Sequence, residues 1–129
     1  MKIMIKSKIV QKVEDLNTFL SENDWFDFSF STFKEKEIKI IGSKDFSYYH
    51  QVEVSFLGVQ FYSGTFEWGT SPKWRKPLEL VSDDAAQIII DENDISEPCL
   101  IFMFNSDSEN KILIAAKNID IIYKDVIYY

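Results

Sequence analysis

Phe26-Asp27-Phe28-Ser29-Phe30-Ser31 alternates aromatic and polar side chains without a break. A period of two puts every Phe on one side of an extended chain and every polar residue on the other, which is a half-buried strand. His50-Gln51-Val52-Glu53-Val54-Ser55-Phe56 repeats the pattern, and Ile38-Lys39-Ile40 is a shorter case. Gly58 reads as a bulge or tight turn, after which Val59 to Trp68 resumes as one aromatic-rich strand. Leu78 to Val81, Ala86 to Ile90, Cys99 to Phe104, Lys111 to Ala116 and Ile119 to Tyr128 are further strand candidates. Asn105 to Asn110 reads as a hairpin loop, and Asn118 as a tight connection. Leu100 to Phe104 is apolar at both parities, so its strand is expected to be covered on both faces.

Only one segment has helical spacing. Val13, Leu16, Phe19 and Leu20 recur three or four apart, which predicts a short helix over about 12–22. The sum is a mainly β, α+β chain. It is a curved antiparallel sheet or β-sandwich of about seven to nine strands, with one short N-terminal helix. The 129 residues, 46% hydrophobic and 16% aromatic, fit a single domain with its own core. The loop Gly69 to Pro77 resembles a linker, but neither flank has a complete core of its own.

Charge is segregated along the chain. Residues 77–110 hold nine acids and no Lys or Arg, whereas Lys2, Lys6, Lys8 and Lys12 precede the first acid, Glu14. The net charge of −7 disfavours a whole-domain role on nucleic acid, whose phosphates need a basic face. An acidic surface suits a basic protein partner. The candidate partner-binding residues are therefore Asp83, Asp84, Asp91, Glu92, Asp94 and Glu97. Trp74 and Arg75, the only arginine, join them because Trp and Arg favour binding hot spots. The simpler reading of Trp74 is a lid folded onto the sheet, with the neighbouring cations reaching water or nearby acids. Trp25 and Trp68 read as core residues. Tyr123, Tyr128 and Tyr129 read as a core cap or a sticky edge that a homo-oligomer could use.

Chemistry-bearing motifs are sparse. His50 is the only histidine and Cys99 the only cysteine, so neither a dedicated zinc site nor an intramolecular disulfide is expected. His50 reads as a packed or edge residue, and Cys99 as an inert thiol. Asp91-Glu92-Asn93-Asp94 starts like a calcium loop but continues with Ile95 and Ser96 where a ligand and a glycine belong. The glycines are too scattered for a phosphate-binding loop, and Tyr62-Ser63-Gly64 lacks the first glycine of a nucleophile elbow. No cofactor and no metal are expected. If a small ligand or substrate is bound in a sheet cavity, His50, Tyr62 and Glu67 are the polar candidates. There is no signal-peptide pattern and no run of membrane-spanning length, so the expectation is a cytoplasmic, non-membrane protein.

Trp25-Phe26-Asp27 opening a strand, Val52-Glu53-Val54-Ser55-Phe56 at mid-chain, and the closing strand pair Leu100–Phe104 and Ile112–Tyr123 follow a familiar order. In this the chain resembles small acidic β-rich bacterial proteins grouped as immunity proteins of polymorphic toxin systems, in particular immunity protein family fifty. That pattern usually has a His before the Asp, where this chain has Phe26. The resemblance spans most of the chain. It implies a cytoplasmic non-enzyme that binds and blocks one toxin, and it carries over no particular binding residues.

Overall fold

The computed structural model describes the backbone of residues 2–128 and the side chains of residues 6–128. The side chains of Lys2 and Tyr129, singled out above, lie outside the described residues. The element order is α1 (Lys2–Leu20), β1 (Phe26–Lys34), β2 (Glu37–Ser43), β3 (Tyr49–Leu57), β4 (Phe61–Ser63) and β5 (Glu67–Thr70). It continues with β6 (Leu78–Leu80), α2 (Asp83–Glu92), β7 (Leu100–Asn105), β8 (Lys111–Ala116) and β9 (Asn118–Ile127).

Among the described residues, nine strands form two antiparallel sheets, ordered β5-β1-β2-β3-β9 and β4-β8-β7-β6. They face each other through aromatic rings. Phe104 of β7 has its ring centroid 5.2 Å from Phe28, 5.9 Å from Phe56 and 4.9 Å from Trp68. Phe102 meets Phe56 at 5.2 Å. The alternation seen in β1 and β3 is thus the inner face of a sandwich. Phe26, Phe28, Phe56, Trp68, Phe102 and Phe104 are the filling between its sheets.

α1 packs along β9 and β6, one edge strand from each sheet, and closes that side of the sandwich. Ile9, Val13, Leu16 and Leu20 are buried there. The helix starts well before the expected residue 12, because Ile9 continues the same stripe one turn earlier. Asn17 fastens it to β6. Its amide donates to the Leu78 carbonyl at 2.8 Å and its Oδ1 accepts the Leu78 N–H at 3.1 Å.

Three expectations are corrected. Ala86 to Ile90 is not a strand but the middle of α2, so the chain has a second helix. Ala86, Ile89 and Ile90 turn inward and pack with Ile101, Leu113 and Ala115 on the outer face of the second sheet. This explains why β7 is apolar at both parities: aromatics cover one face and α2 the other. Small residues, Ala86 against Ala115, let the helix approach. Second, Val59 to Trp68 is not one strand. The chain turns at Gly64, so β4 joins one sheet and β5 the other. Gly64 has φ +145°, and a Cβ there would meet Ile112 Cγ1 at 2.8 Å, so the turn requires glycine. Third, Trp25 is not core but 56% exposed. Trp68, by contrast, is buried as expected.

Two turns have left-handed backbones without glycine. Glu35 (φ +53°) and Lys36 (φ +62°) form the two-residue hairpin between β1 and β2, where Lys34 pairs with Glu37. Positive φ at both central positions suits Asn-Gly far better than Glu-Lys. Asp94 (φ +52°) ends α2, where the Ile95 N–H donates to the Ile90 carbonyl at 3.0 Å. With Ile90 and Ile95 in the same apolar cluster, this is a Schellman-type stop.

Two stability outcomes follow from the packing. Phe104→Ala removes the ring shared by three strands of the opposite sheet and should cost about 3–5 kcal/mol in urea denaturation. Glu35→Asn with Lys36→Gly should stabilise the fold by about 1 kcal/mol, seen as a higher urea midpoint, because it relieves left-handed strain at two positions.

Candidate functional site

The acids of the 77–110 window divide into separate groups. Asp83, Asp84, Asp91 and Glu92 lie on α2, with Asp94 and Glu97 just beyond its end, and all six are exposed. The inner stripe of α2 is Ala86, Ile89 and Ile90, so the outer stripe is Asp84, Ile88 and Asp91, spaced four and three apart. Ile88 is 59% exposed and stands between the two aspartates. The flanks are partly neutralised. Asp83 accepts from Lys6 Nζ at 2.8 Å, and Glu97 accepts from Lys117 Nζ at 3.1 Å and Gln60 Nε2 at 3.0 Å. The Lys117 ammonium, then the Lys36 charge and least the Gln60 amide, hold the Glu97 carboxyl below its usual range. Among the described residues, no Lys or Arg lies within ion-pair distance of Asp84, Asp91, Glu92 or Asp94. The Asp91 carboxylate accepts from the Gln87 amide, one turn earlier on the helix, at 2.8 Å.

The remaining acids are elsewhere. Glu79 accepts from Asn105 Nδ2 at 2.7 Å, and Lys111 Nζ donates to the same asparagine's Oδ1 at 2.7 Å. Asp107 faces Asp27 across Gly69. A Cβ on Gly69 would lie 3.1 Å from Asp27 Oδ1 and 3.9 Å from Asp107 Oδ2. Burial, and then the Asp107 charge, push the Asp27 carboxyl above its usual range.

Trp74 and Arg75 do not join the α2 acids. Arg75 Nη1 donates to the Ser106 carbonyl at 3.0 Å, in the loop after β7, whereas α2 follows the far end of β6. Trp74 is 80% exposed and is not a lid on the sheet, which corrects the simpler reading. The cations beside it behave as expected, with Lys73 Nζ 2.8 Å from Asp24 Oδ1.

The alternative set is not assembled either. His50 sits on β3, and Glu67 on β5, with β2 and β1 between them. Tyr62 belongs to the other sheet, where its hydroxyl donates to the Thr65 carbonyl at 2.7 Å. Burial pushes the Tyr62 phenol up to about 12. Glu67 alone lines a shallow groove of about 330 Å³, with Asp27, Ser29, Phe46 and Trp68 among its walls.

His50 instead has partners that the sequence did not suggest. It is only 7% exposed. Its Nδ1 lies 2.7 Å from the Tyr128 hydroxyl and its Nε2 lies 2.8 Å from Glu53 Oε2. Lys39 Nζ is 3.5 Å from the other Glu53 oxygen. This chain clasps the end of β9 to β3 beside a register irregularity between His50 and Val52. The hydrogen bond from His50, then the Lys39 charge, hold the Glu53 carboxyl below its usual 4.5 despite its burial. A neutral imidazole can donate to Glu53 through Nε2 while accepting from Tyr128 at Nδ1, so both nitrogens are satisfied.

Among the described residues, no group of three His, Cys, Asp or Glu could hold a metal ion, and no helix is long and apolar enough to cross a membrane. Cys99 packs among the α2 contacts, and burial pushes its thiol up. Comparison with protein-family models, with curated proteins and with solved structures gives no match.

The depressed Glu53 carboxyl links stability to pH. Its folded value lies below 4.5, so its contribution is present above 4.5 and is lost as pH falls through the folded value. In urea melts from pH 7 down to pH 3, His50→Gln should flatten the acid-side slope and cost about 1–3 kcal/mol at neutral pH.

Proposed function

We propose that this chain is a non-catalytic interaction protein that docks a basic protein partner through the outer stripe of α2. The observation that carries this reading is the ridge Asp84–Ile88–Asp91, an exposed apolar side chain between two carboxylates that no cation among the described residues neutralises. An apolar centre with a charged rim is how protein interfaces are commonly built. Ile88 would fill a pocket on the partner. Glu92 and Asp94 extend the negative field beyond the contact. That field steers a basic partner and raises the encounter rate, most strongly at low salt. Asp83 and Glu97, already paired with lysines, contribute less. The immunity-protein resemblance supports a specific form of this reading, in which the partner is a basic toxin and occlusion of its active surface is the mechanism.

A small-ligand reading has one observation in its favour, the groove beside β1 and β5 that contains Glu67. It lacks two of its three candidate residues, because His50 and Tyr62 are positioned elsewhere.

The test is affinity capture from a lysate of the source cells at low and high salt, with the native chain and Asp84→Lys/Asp91→Lys side by side. A basic protein held by the native chain, released by salt and held at least about tenfold more weakly by the variant is the expected outcome. Equal retention by both chains would sink the proposal. Both positions are exposed, so folding should be unaffected and circular dichroism should confirm it.

A further inference from the structure

We propose that Asn17 stands in for a further strand at the outer edge of β6 and so keeps the second sheet from pairing with a second copy of this chain. This inference is independent of the α2 ridge.

The direction of the backbone groups on β6 carries the argument. The Asn105 N–H donates to the Pro77 carbonyl at 3.0 Å, and the Val81 N–H donates to the Ile101 carbonyl at 2.9 Å. Backbone groups alternate sides along a strand, so Pro77, Glu79 and Val81 face β7 while Leu78 and Leu80 face the opposite way. Among the described residues no strand lies on that side, because β6 ends the order β4-β8-β7-β6. Both Leu78 groups are nonetheless taken. Asn17 Oδ1 accepts the Leu78 N–H at 3.1 Å, and Asn17 Nδ2 donates to the Leu78 carbonyl at 2.8 Å. One amide that gives and receives a bond with the same residue reproduces the exchange of an antiparallel hydrogen-bonded pair. β6 runs only from Leu78 to Leu80, so closing Leu78 leaves Leu80 as its one outward position. A single position is too little to hold a strand.

The amide closes this edge, and the body of α1 does not. A groove of about 240 Å³ runs between α1 and β6, walled by Val10, Val13 and Glu14 on one side and Leu78 and Leu80 on the other. The helix therefore leaves room along the strand, and Asn17 spans it.

The strand that would use an open β6 is β9 of another copy. β9 ends the first sheet, with a strand neighbour on one side only. Its Ile122 and Tyr123 are exposed, and its Lys124 is opposite in charge to Glu79 of β6. Open sheet edges recruit such strands. β6 of one copy on β9 of the next is a head-to-tail contact, which continues instead of closing. Lys12 gives β9 only part of the same protection. Its Nζ donates to the Ile119 carbonyl at 3.0 Å, and an ammonium has no acceptor for an edge N–H. Closing β6 still stops growth, because each junction needs one edge of each kind.

The test compares the native full chain with Asn17→Ala, Asn17→Leu and Asn17→Asp. Sedimentation velocity is run from roughly 1 to 200 micromolar, a range that brackets micromolar association. Amide hydrogen exchange, circular dichroism and thermal melting accompany it. Ala and Leu remove both bonds and are strong helix formers, so α1 is retained. Expected in both are species larger than a dimer that grow with concentration. At the lowest concentration their Leu78 amide should exchange at least about tenfold faster than in the native chain. Asn17→Asp keeps an acceptor for the Leu78 N–H and puts a charge at the edge, so it should sediment like the native chain. Ala and Leu variants that fold and sediment like the native chain would overturn the proposal. So would equal growth in Asn17→Asp, which would trace association to lost packing, or a native chain that already forms the larger species.

Discussion

The ring of Phe104 is the point on which this architecture depends. It stands on β7 of one sheet and touches Phe28, Phe56 and Trp68 from β1, β3 and β5 of the other. Strands distant in sequence are held there by one apolar contact region, with no disulfide and no side-chain group that could hold a metal among the described residues. Burial of aromatic rings is non-directional in origin, but the tilted and edge-on arrangements give it geometry. That geometry sets which faces of the strands look inward, and so which side chains are left for solvent. It also requires β7 to be covered on its reverse face, since Ile101 and Met103 alternate with the two phenylalanines.

The cover is α2, and its placement produces the surface proposed to be functional. A helix that spends Ala86, Ile89 and Ile90 on the sheet must turn Asp84, Ile88 and Asp91 outward. α1 performs the corresponding task at the side of the sandwich, where it shields β9 and β6. Trp25 and Trp74 stay exposed beside the Asp24–Lys73 ion pair. The Arg75 and Asn105 hydrogen bonds anchor the loop before β6, and the turn at Asp94 ends α2.

Legibility in the sequence followed the physics of each segment. Period-two alternation in β1 and β3 was readable because one face of each is core and the other is solvent. The two-sided cover of β7 was readable from its double parity, though the covering element was not recognised. Ile88-Ile89-Ile90 is a β-branched run and reads as a strand. The contrary signal was Ser82-Asp83-Asp84, a helix start with acids in the first turn, and it was available. The Glu35-Lys36 hairpin had no turn signature at all. Its backbone is imposed by the pairing of β1 with β2 against local preference. The acid cluster on α2 was legible as composition, but its outward stripe was not, because a strand would have placed those residues differently.

Composition and periodicity by themselves determined the mainly β, antiparallel class, the single N-terminal stripe of α1, the aromatic core and the acidic window. These are properties of short windows, where side-chain spacing and backbone geometry are coupled directly. Tertiary structure alone decided that β4 and β5 part at Gly64 into different sheets and that Trp25 and Trp74 stay exposed. It also decided that His50 lies between Glu53 and Tyr128, a partner 78 positions away. Such contacts join residues that no local pattern relates. They exist because strand pairing within the five-stranded sheet, β1 with β5 and β3 with β9, brings distant segments together.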